Sequence, residues 1–331
     1  MFVTVFLLIA AAVLIYLSCA FFVNGVEWVG YRLKLAETAT GTILAAFGTA
    51  LPESAVTFVA VAFGHSAAER ELGVGAALGG PLALSTLAYS VVGLTLLGSR
   101  HLRVKRKAAV AADCRQLAHD QGWFLAIFLC KLGLGLVLFP GKHWFGFLFL
   151  AAYAAYVWQE LRREGGLHEV EDLEPLKFRP RVAMPSLAWA ALQTGAALVV
   201  IFIASRVFVA QLNVLGPALG MKPQLVALLF SPIATEMPET INAIIWVRQG
   251  KERLALANIS GAMMIQATIP TACGLFGTPW LFSAPVILAG VVTAIAVACL
   301  YLMFRGGQVT GKQLSWASLL YLLFAGLLMA R

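Results

Sequence analysis

The feature that most constrains this chain is a succession of apolar stretches, each long enough to cross a bilayer core about 30 Å thick. We count ten of them, at residues 2–24, 38–63, 72–98, 122–140, 143–161, 185–211, 217–247, 254–277, 280–304 and 313–330. Only 12% of the residues are charged, against about a quarter in soluble domains. The sequence therefore predicts an all-α polytopic membrane protein. No Lys or Arg precedes Arg32, so we expect the first stretch to be a retained helix rather than a signal peptide.

The distribution of basic residues predicts the orientation. If the ten spans alternate, 18 of the 24 Lys and Arg fall in connections on one side, including "RHLRVKRK" (Arg100 to Lys107), and only four fall on the other. Because positively charged connections stay in the cytoplasm, we expect both termini outside it, in a plasma or inner membrane. The net charge of +8 then reflects basic residues in the cytoplasmic connections, and it does not indicate a nucleic-acid partner. Nothing in the sequence predicts an oligomeric state.

Sequence motifs typical of enzymes are missing or incomplete. "GGQVTGK" (Gly306 to Lys312) satisfies GxxxxGK, but Gln313 stands where a phosphate-binding loop requires Ser or Thr. The five cysteines and five histidines show no metal-binding spacing, and the chain has no HxxxH, DxxD or GxSxG set. We therefore predict that the chain is not an enzyme, that it binds no cofactor tightly, and that ion gradients drive any transport.

Two related motifs divide the chain into halves. "FGTALPESAVTFV" (47–59) places a proline and a glutamate inside an apolar run, and "IATEMPETINAII" (233–245) does so again. A shift of 186 residues aligns three pairs: Thr49 with Thr235, Pro52 with Pro238 and Glu53 with Glu239. A second pair of motifs follows, "LGVGAALGG" (72–80) and "LALANISGA" (254–262). We expect two five-helix repeats, 1–161 and 185–331, joined by a cytoplasmic linker at 162–184. Because five is odd, the second repeat must be inverted.

The chemistry of these motifs predicts a cation site. Each proline lacks an N–H, so the carbonyls of Gly48 and Ala234 lose their helical donors. Each threonine lies four residues before its glutamate, on the same helix face. Inverted repeats place their substrate site near the bilayer midplane, where interrupted helices meet. Carboxylates, hydroxyls and carbonyls gathered there would form a cage of oxygen ligands for a hard cation such as Ca²⁺.

These motifs resemble the paired alpha repeats of the cation/calcium antiporter superfamily, which includes the sodium/calcium exchangers. The family pattern is GTSLPE in the first motif and GNxxGSNxxxN/D in the second, and ten spans in two inverted repeats is the family's architecture. The resemblance implies that the ion ligands include Thr49, Glu53, Thr235, Glu239 and Asn258. It also implies that the first and sixth spans slide across a core formed by the second, third, seventh and eighth.

The sequence departs from that pattern at several ligand positions. The serine of the first motif is Ala50 in one copy and Glu236 in the other, the GS serine is Gly80 and Ala262, and the later Asn or Asp is Leu84 and Gln266. We expect Glu236 and Gln266 to join a rebuilt site. Sodium usually requires the neutral oxygens that are missing, so the losses favour a proton as counter-ion. Three carboxylates cannot all stay ionised together without a cation.

Other interpretations remain open for individual residues. Glu236 could instead pair with Arg206 or Lys131, and the glycine cluster at 73–80 could serve helix packing alone. Asn258 and Gln266 could form interhelical hydrogen bonds rather than bind ions. Lys131, in the middle of the span "FLCKLGLG", could be neutral or paired.

For the whole chain, the sequence predicts a secondary-active antiporter in the lipid bilayer. We expect it to move Ca²⁺ or a similar cation in exchange for H⁺ or Na⁺ by alternating access. A cation channel and a transport-inactive member of the same fold are the alternatives.

Overall fold

The computed structural model describes residues 1–36, 39–50, 54, 57–58, 67–98, 113–162, 173–218, 220, 229 and 231–330, and within these ranges it contains helices and no β-strand. The helices are α1 (Phe2–Arg32), α2 (Thr40–Ala50), α3 (67–98), α4 (Cys114–Leu136), α5 (Phe145–Arg162), α6 (Leu187–Ala218), α7 (Ser231–Thr235), α8 (Met237–Arg248), α9 (Glu252–Gly277), α10 (Ala284–Arg305), α11 (Gly311–Ser315) and α12 (Ala317–Met329). Two of them contain π-helical turns, Thr40–Ala45 in α2 and Leu84–Ala88 in α3.

Within the described ranges, six helical segments are long and apolar enough to cross a membrane: Phe2–Arg32, Ala77–Gly98, Leu187–Phe208, Glu252–Gly277, Ala284–Arg305 and Gly311–Met329. They coincide with six of the ten predicted spans. The predicted spans 122–140 and 143–161 overlap α4 and α5, whereas 38–63 and 217–247 lie partly outside the described residues. The all-helical membrane class is confirmed, and the count of ten stays a prediction.

The spans differ in how deeply they are buried. In α9, 83% of the most apolar 18-residue window is inside the protein, against 28% in α1 and 28% in α6. Helices α1 and α6 pack along each other, and α1 exposes Phe6, Ile9 and Val13. Exposed apolar side chains on a membrane helix are suited to lipid. The fold is therefore a pair of lipid-facing helices beside a core centred on α9.

Contacts at one end of α1 join this pair to the rest of the chain. Trp28 Nε1 donates a hydrogen bond to the Glu174 carbonyl at 2.8 Å, which holds the segment before α6 against α1. The Glu27 carboxylate, 3% exposed, accepts from Trp246 Nε1 at 2.7 Å and from Lys251 Nζ at 2.5 Å. Glu27 thereby connects α1 to the end of α8 and to the residue before α9.

The segment "GGQVTGK" is a helix start. The Thr310 hydroxyl accepts a hydrogen bond from the Gln313 backbone N–H at 3.2 Å, and the Gln313 side chain accepts from the Thr310 backbone N–H at 2.9 Å. This reciprocal pair is a capping box at the start of α11. Gln313, the residue that argues against a phosphate-binding loop, has a structural role here.

Candidate cation site

The second copy of the proline motif, "IATEMPETINAII", interrupts its helix, as its proline predicts. Helix α7 ends at Thr235 and α8 begins at Met237, with Glu236 between them at φ −87° and ψ 6°. Pro238 follows in the first turn of α8 and has no N–H to donate to the Ala234 carbonyl. Hydrogen bonds from the Glu236 N–H to the Pro232 carbonyl, at 3.0 Å, and from the Thr240 N–H to the Glu236 carbonyl, at 3.1 Å, bridge the interruption. The break places a carboxylate that is only 2% exposed inside the helical core.

Residues from three helical segments meet at that carboxylate. Gln266 Nε2, from α9, donates to both Glu236 oxygens at 2.8 Å. Gly80, from α3, faces the same pair: a Cβ built on it would lie 2.6 Å from Gln266 Oε1 and 2.7 Å from Glu236 Oε1. Contacts that short are essentially never seen, so the Glu236 carboxylate occupies the space that a side chain at position 80 would need. Glycine at position 80 therefore leaves the room that the Glu236 carboxylate occupies.

The side-chain oxygen of Gln266 can serve as a cation ligand. Its amide nitrogen is used by Glu236, while its Oε1 is buried and accepts no hydrogen bond from the residues that the structure describes. An amide oxygen is a good ligand for Ca²⁺ or Na⁺. The structure thus places Gln266 beside Glu236, and the interhelical hydrogen bond expected as its alternative role is also present.

The other predicted ligands in the described part are buried polar groups. Glu239, Thr49 and Asn258 are 1%, 2% and 0% exposed, and Thr235 is half-buried. The Thr49 hydroxyl donates to the Ala45 carbonyl at 3.0 Å, and the Thr235 hydroxyl donates to the Pro232 carbonyl at 3.3 Å. A hydroxyl that donates in this way keeps its lone pairs for a cation. Both amide atoms of Asn258 lack a hydrogen-bond partner among the described residues.

Asn242 is a further buried amide, at a position in an apolar run where helix packing is the usual role. It is 0% exposed, and neither of its amide atoms has a hydrogen-bond partner within the described ranges. It lies three residues after Glu239 in α8, so the two side chains share a helix face. That spacing is the sequence signal that could have identified it.

Part of the first copy of the proline motif, residues 47–59, lies outside the described residues. Pro52 and Glu53 are in this group, so the partner carboxylate of Glu239 and the break expected after Gly48 are not described. Gly48 itself faces α1 and α6, because a Cβ there would lie 3.1 Å from Phe22 and 3.2 Å from Leu198. Ala234 lies in α7, with its backbone at the interruption.

Equivalent glycines bring the two halves together. A Cβ on Gly79 would lie 2.6 Å from Pro232 of the second half, and one on Gly261 would lie 2.2 Å from the Thr42 carbonyl of the first. Gly79 and Gly261 occupy equivalent positions, 182 residues apart, in the motifs "LGVGAALGG" and "LALANISGA". Helix α3 of the first half therefore packs against α7 of the second, and α9 of the second half packs against α2 of the first. Of the glycine cluster, Gly79 serves packing and Gly80 faces the candidate site.

The ion pair between Glu236 and Lys131 considered from the sequence is not formed. Lys131 Nζ donates instead to the carbonyls of Ala77, at 2.7 Å, and Gln266, at 3.1 Å. Arg206 is exposed on α6, with its guanidinium 5.8 Å from the centre of the Phe202 ring.

The buried polar groups are of the kinds that bind a dehydrated cation. Two buried carboxylates, two threonine oxygens and two amide side chains come from α2, α7, α8, α9 and the break between α7 and α8. Carboxylates at membrane depth are costly, and a cation offsets that cost. Hard cations prefer oxygen ligands of these kinds.

A protein-family model matches both halves of the chain. The model for "Sodium/calcium exchanger protein" matches residues 3–161 and 189–330, and so covers both halves of the chain. No curated protein matched the chain in a sequence comparison.

Solved structures share the fold. The sodium-calcium exchanger NCX_Mj soaked with 10 mM Na⁺ and zero Ca²⁺ superposes with a TM-score of 0.74 at 17% identity, over 97% of each chain. The same exchanger soaked with 2.5 mM Na⁺ and 0.1 mM Ca²⁺ gives 0.75 at 16% identity over 97% of each chain, and with zero Na⁺ and Ca²⁺ it gives 0.73 at 16% over 99% of each. A helical membrane fold, a buried carboxylate held by an amide from another helix and a family match over both halves lead to one conclusion: the chain belongs to the sodium/calcium exchanger protein family.

Proposed function

We propose that this protein is a secondary-active antiporter that moves Ca²⁺ or a similar divalent cation in exchange for H⁺ or Na⁺. The transported ion binds at a midplane site formed by three carboxylates, Glu53, Glu236 and Glu239, with neutral oxygens from Thr49, Thr235, Asn258 and Gln266. The carbonyls of Gly48 and Ala234 complete it. The observation that carries this proposal is the Glu236 carboxylate, 2% exposed at a helix break and held by Gln266 from another helix.

The altered ligand set favours protons over sodium as the counter-ion. Leu84 and Ala262, at positions where relatives carry polar ligands, are both 0% exposed and apolar. Gly80 supplies no side-chain oxygen, and the space beside it holds a third carboxylate. Neighbouring carboxylates in a low-dielectric site repel one another, which favours protonation when the divalent cation leaves. A divalent cation and protons then compete for the same oxygens.

The proposal includes the arrangement of the whole chain. We infer ten spans in two inverted five-helix repeats, 1–161 and 185–331, with a cytoplasmic linker at 162–184 and both termini outside. The reciprocal packing of Gly79 on Pro232 and of Gly261 on Thr42 supports a two-fold relation between the halves. In alternating access, α1 and α6 would slide across the core. Their mutual packing and lipid-facing surfaces are compatible with movement as a unit.

Flux measurements on purified protein in sealed vesicles test this function. We expect uptake of radioactive Ca²⁺ to require an outward gradient of H⁺ or Na⁺, to saturate, and to be lost in Glu239→Gln. The matched control is Glu160→Gln, which removes a carboxylate that is 1% exposed on α5 and bonded to Gln116 at 3.1 Å. This control should keep exchange.

Other outcomes would contradict the proposal in recognisable ways. Uptake that needs no counter-gradient and does not saturate would indicate a channel. Absence of flux for Ca²⁺, Sr²⁺, Mn²⁺ and Mg²⁺ in a well-folded preparation would indicate a transport-inactive member. Uptake driven by Na⁺ alone and indifferent to pH would refute proton coupling while leaving antiport intact.

A further inference from the structure

Lys131 is a buried basic side chain inside the core that the proposed mechanism does not yet use. It lies in α4 and is 0% exposed. The Phe128 and Trp280 rings cover it, with their centres 5.6 Å and 5.9 Å from Nζ. A charged side chain at membrane depth is costly and is commonly functional.

The oxygens that hold the Lys131 ammonium belong to the two helices that frame Glu236. Its Nζ donates to the Ala77 carbonyl of α3 at 2.7 Å, three residues before Gly80. It also donates to the carbonyl of Gln266, at 3.1 Å, the residue whose amide binds both Glu236 oxygens at 2.8 Å. A single residue, Gln266, therefore separates the ammonium from the carboxylate. The nitrogen binds two backbone carbonyl oxygens, which are also groups that a free monovalent cation would bind.

We propose that Lys131 is a resident cation of the transport site, a tethered positive charge that takes the place of one exchangeable monovalent ion. The inference rests on the proposed function, because it concerns the charge of that site. Glu53, Glu236 and Glu239 contribute three negative charges, and Lys131 offsets one of them. Two remain, and one divalent cation or two monovalent cations neutralise them. Exchange of one for the other then moves no net charge across the membrane.

A second lysine provides a matched control. Lys142, 6% exposed, donates to the carbonyls of Val137, Pro279 and Trp280 at 2.7, 3.1 and 3.0 Å. It is also a buried ammonium held by backbone carbonyls, but none of those carbonyls belongs to a candidate ligand. Loss of packing should therefore be similar in Lys142→Met and Lys131→Met, whereas only Lys131→Met should change the charge of the ion site.

The test is equilibrium binding of radioactive Ca²⁺ and Na⁺ to the purified full-length protein, together with Ca²⁺ uptake into vesicles at clamped membrane potentials. For a separation of about 10 Å and an effective dielectric of about 20, removal of a unit charge changes the affinity for a monovalent cation roughly fifteenfold and for a divalent cation by roughly a few hundredfold. We expect Lys131→Met to bind Ca²⁺ more tightly by that order and to bind three monovalent cations where wild type binds two. Because three monovalent charges then exchange for one Ca²⁺, its uptake of Ca²⁺ should depend on potential. Wild type and Lys142→Met should show neither additional binding nor dependence on potential.

Several results would overturn the inference. If Lys131→Met folds with wild-type affinities and is indifferent to potential, the lysine only clamps α3 to α9. Should that variant fail to fold, Lys131→Gln, whose amide can still donate to the carbonyls, replaces it with the same expectations. Binding measurements on the wild type alone also test the inference. If the saturated protein binds Ca²⁺ and a monovalent cation together, the charge count is wrong. Loss of Ca²⁺ binding in Glu239→Gln with no effect of Lys131→Met would reject this inference and keep the proposed function.

Discussion

The close approach of Gly80 to Glu236 makes a quantitative prediction about Gly80→Ala. The added Cβ would lie 2.6 Å from Gln266 Oε1 and 2.7 Å from Glu236 Oε1, about 0.7–0.8 Å inside the 3.4 Å at which ordinary contact begins. Neither oxygen belongs to a freely mobile side chain, because the two groups are hydrogen-bonded to each other in a buried site. Overpacking of this size costs about 1–3 kcal/mol. Alanine otherwise gains about 1 kcal/mol over glycine in a helix interior.

A control in the same helix separates these two effects. Gly75 also lies in α3, and a Cβ there meets no described atom within 4 Å. Gly75→Ala therefore reports the helix gain alone. The difference in unfolding free energy between the two variants should equal the packing cost, about 1–3 kcal/mol. Thermal or denaturant unfolding in detergent measures it, with Ca²⁺ binding measured in parallel and expected to weaken only in Gly80→Ala.

The decisive form of this experiment is a double-mutant cycle. Glu236→Ser should leave a void beside Gly80, and Gly80→Ser should clash with Glu236, whereas the double variant restores the serines that the family pattern has at both positions. We expect the double variant to be more stable than the sum of the single changes by at least about 1 kcal/mol, as for residues in direct contact. Additive effects, or a Gly80→Ala protein as stable as Gly75→Ala, would refute the coupling of the two positions.

Three further predictions follow from buried contacts. Lys251→Met leaves the Glu27 carboxylate without its cation and should cost about 3–5 kcal/mol in unfolding free energy; a loss below about 1 kcal/mol would contradict the role of this pair. Gly261→Ala places a Cβ 2.2 Å from the Thr42 carbonyl, which is backbone and cannot rotate away, so we expect little folded protein by size-exclusion chromatography, and a normal yield would argue against the close crossing. Asn242→Leu removes a buried amide with no described partner, so it should weaken Ca²⁺ binding about tenfold without lowering the melting temperature if the amide is a cation ligand; unchanged binding would return it to helix packing.

Some features of the site could be predicted because their cause is local. The break at Glu236 follows from Pro238 two residues later, since a missing N–H acts within one helical turn. The burial of Glu239 and Asn258 follows from charged and polar residues placed in apolar runs. The role of Asn242 cannot be predicted in this way, because a lone amide in a membrane helix is equally compatible with packing and with binding.

Other features depend on contacts between distant parts of the chain. Lys131 could have paired with Glu236, but its ammonium binds the carbonyls of Ala77 and Gln266, 54 and 135 residues away in sequence. The space beside Gly80 is filled by Glu236, a residue of the other half. Neither contact has a sequence signature, because no periodicity within one helix records which helix lies beside it.

The sequence by itself determined that the chain is a helical membrane protein with two copies of one motif. Apolar length and proline position act through the bilayer and through single helical turns, which need no tertiary context. Only the tertiary structure decided that Glu236 faces Gln266 and Gly80, and that Lys131 lies behind them. Those positions depend on how α3, α4 and α9 cross, and close packing between helices settles the crossing only once all of them are present.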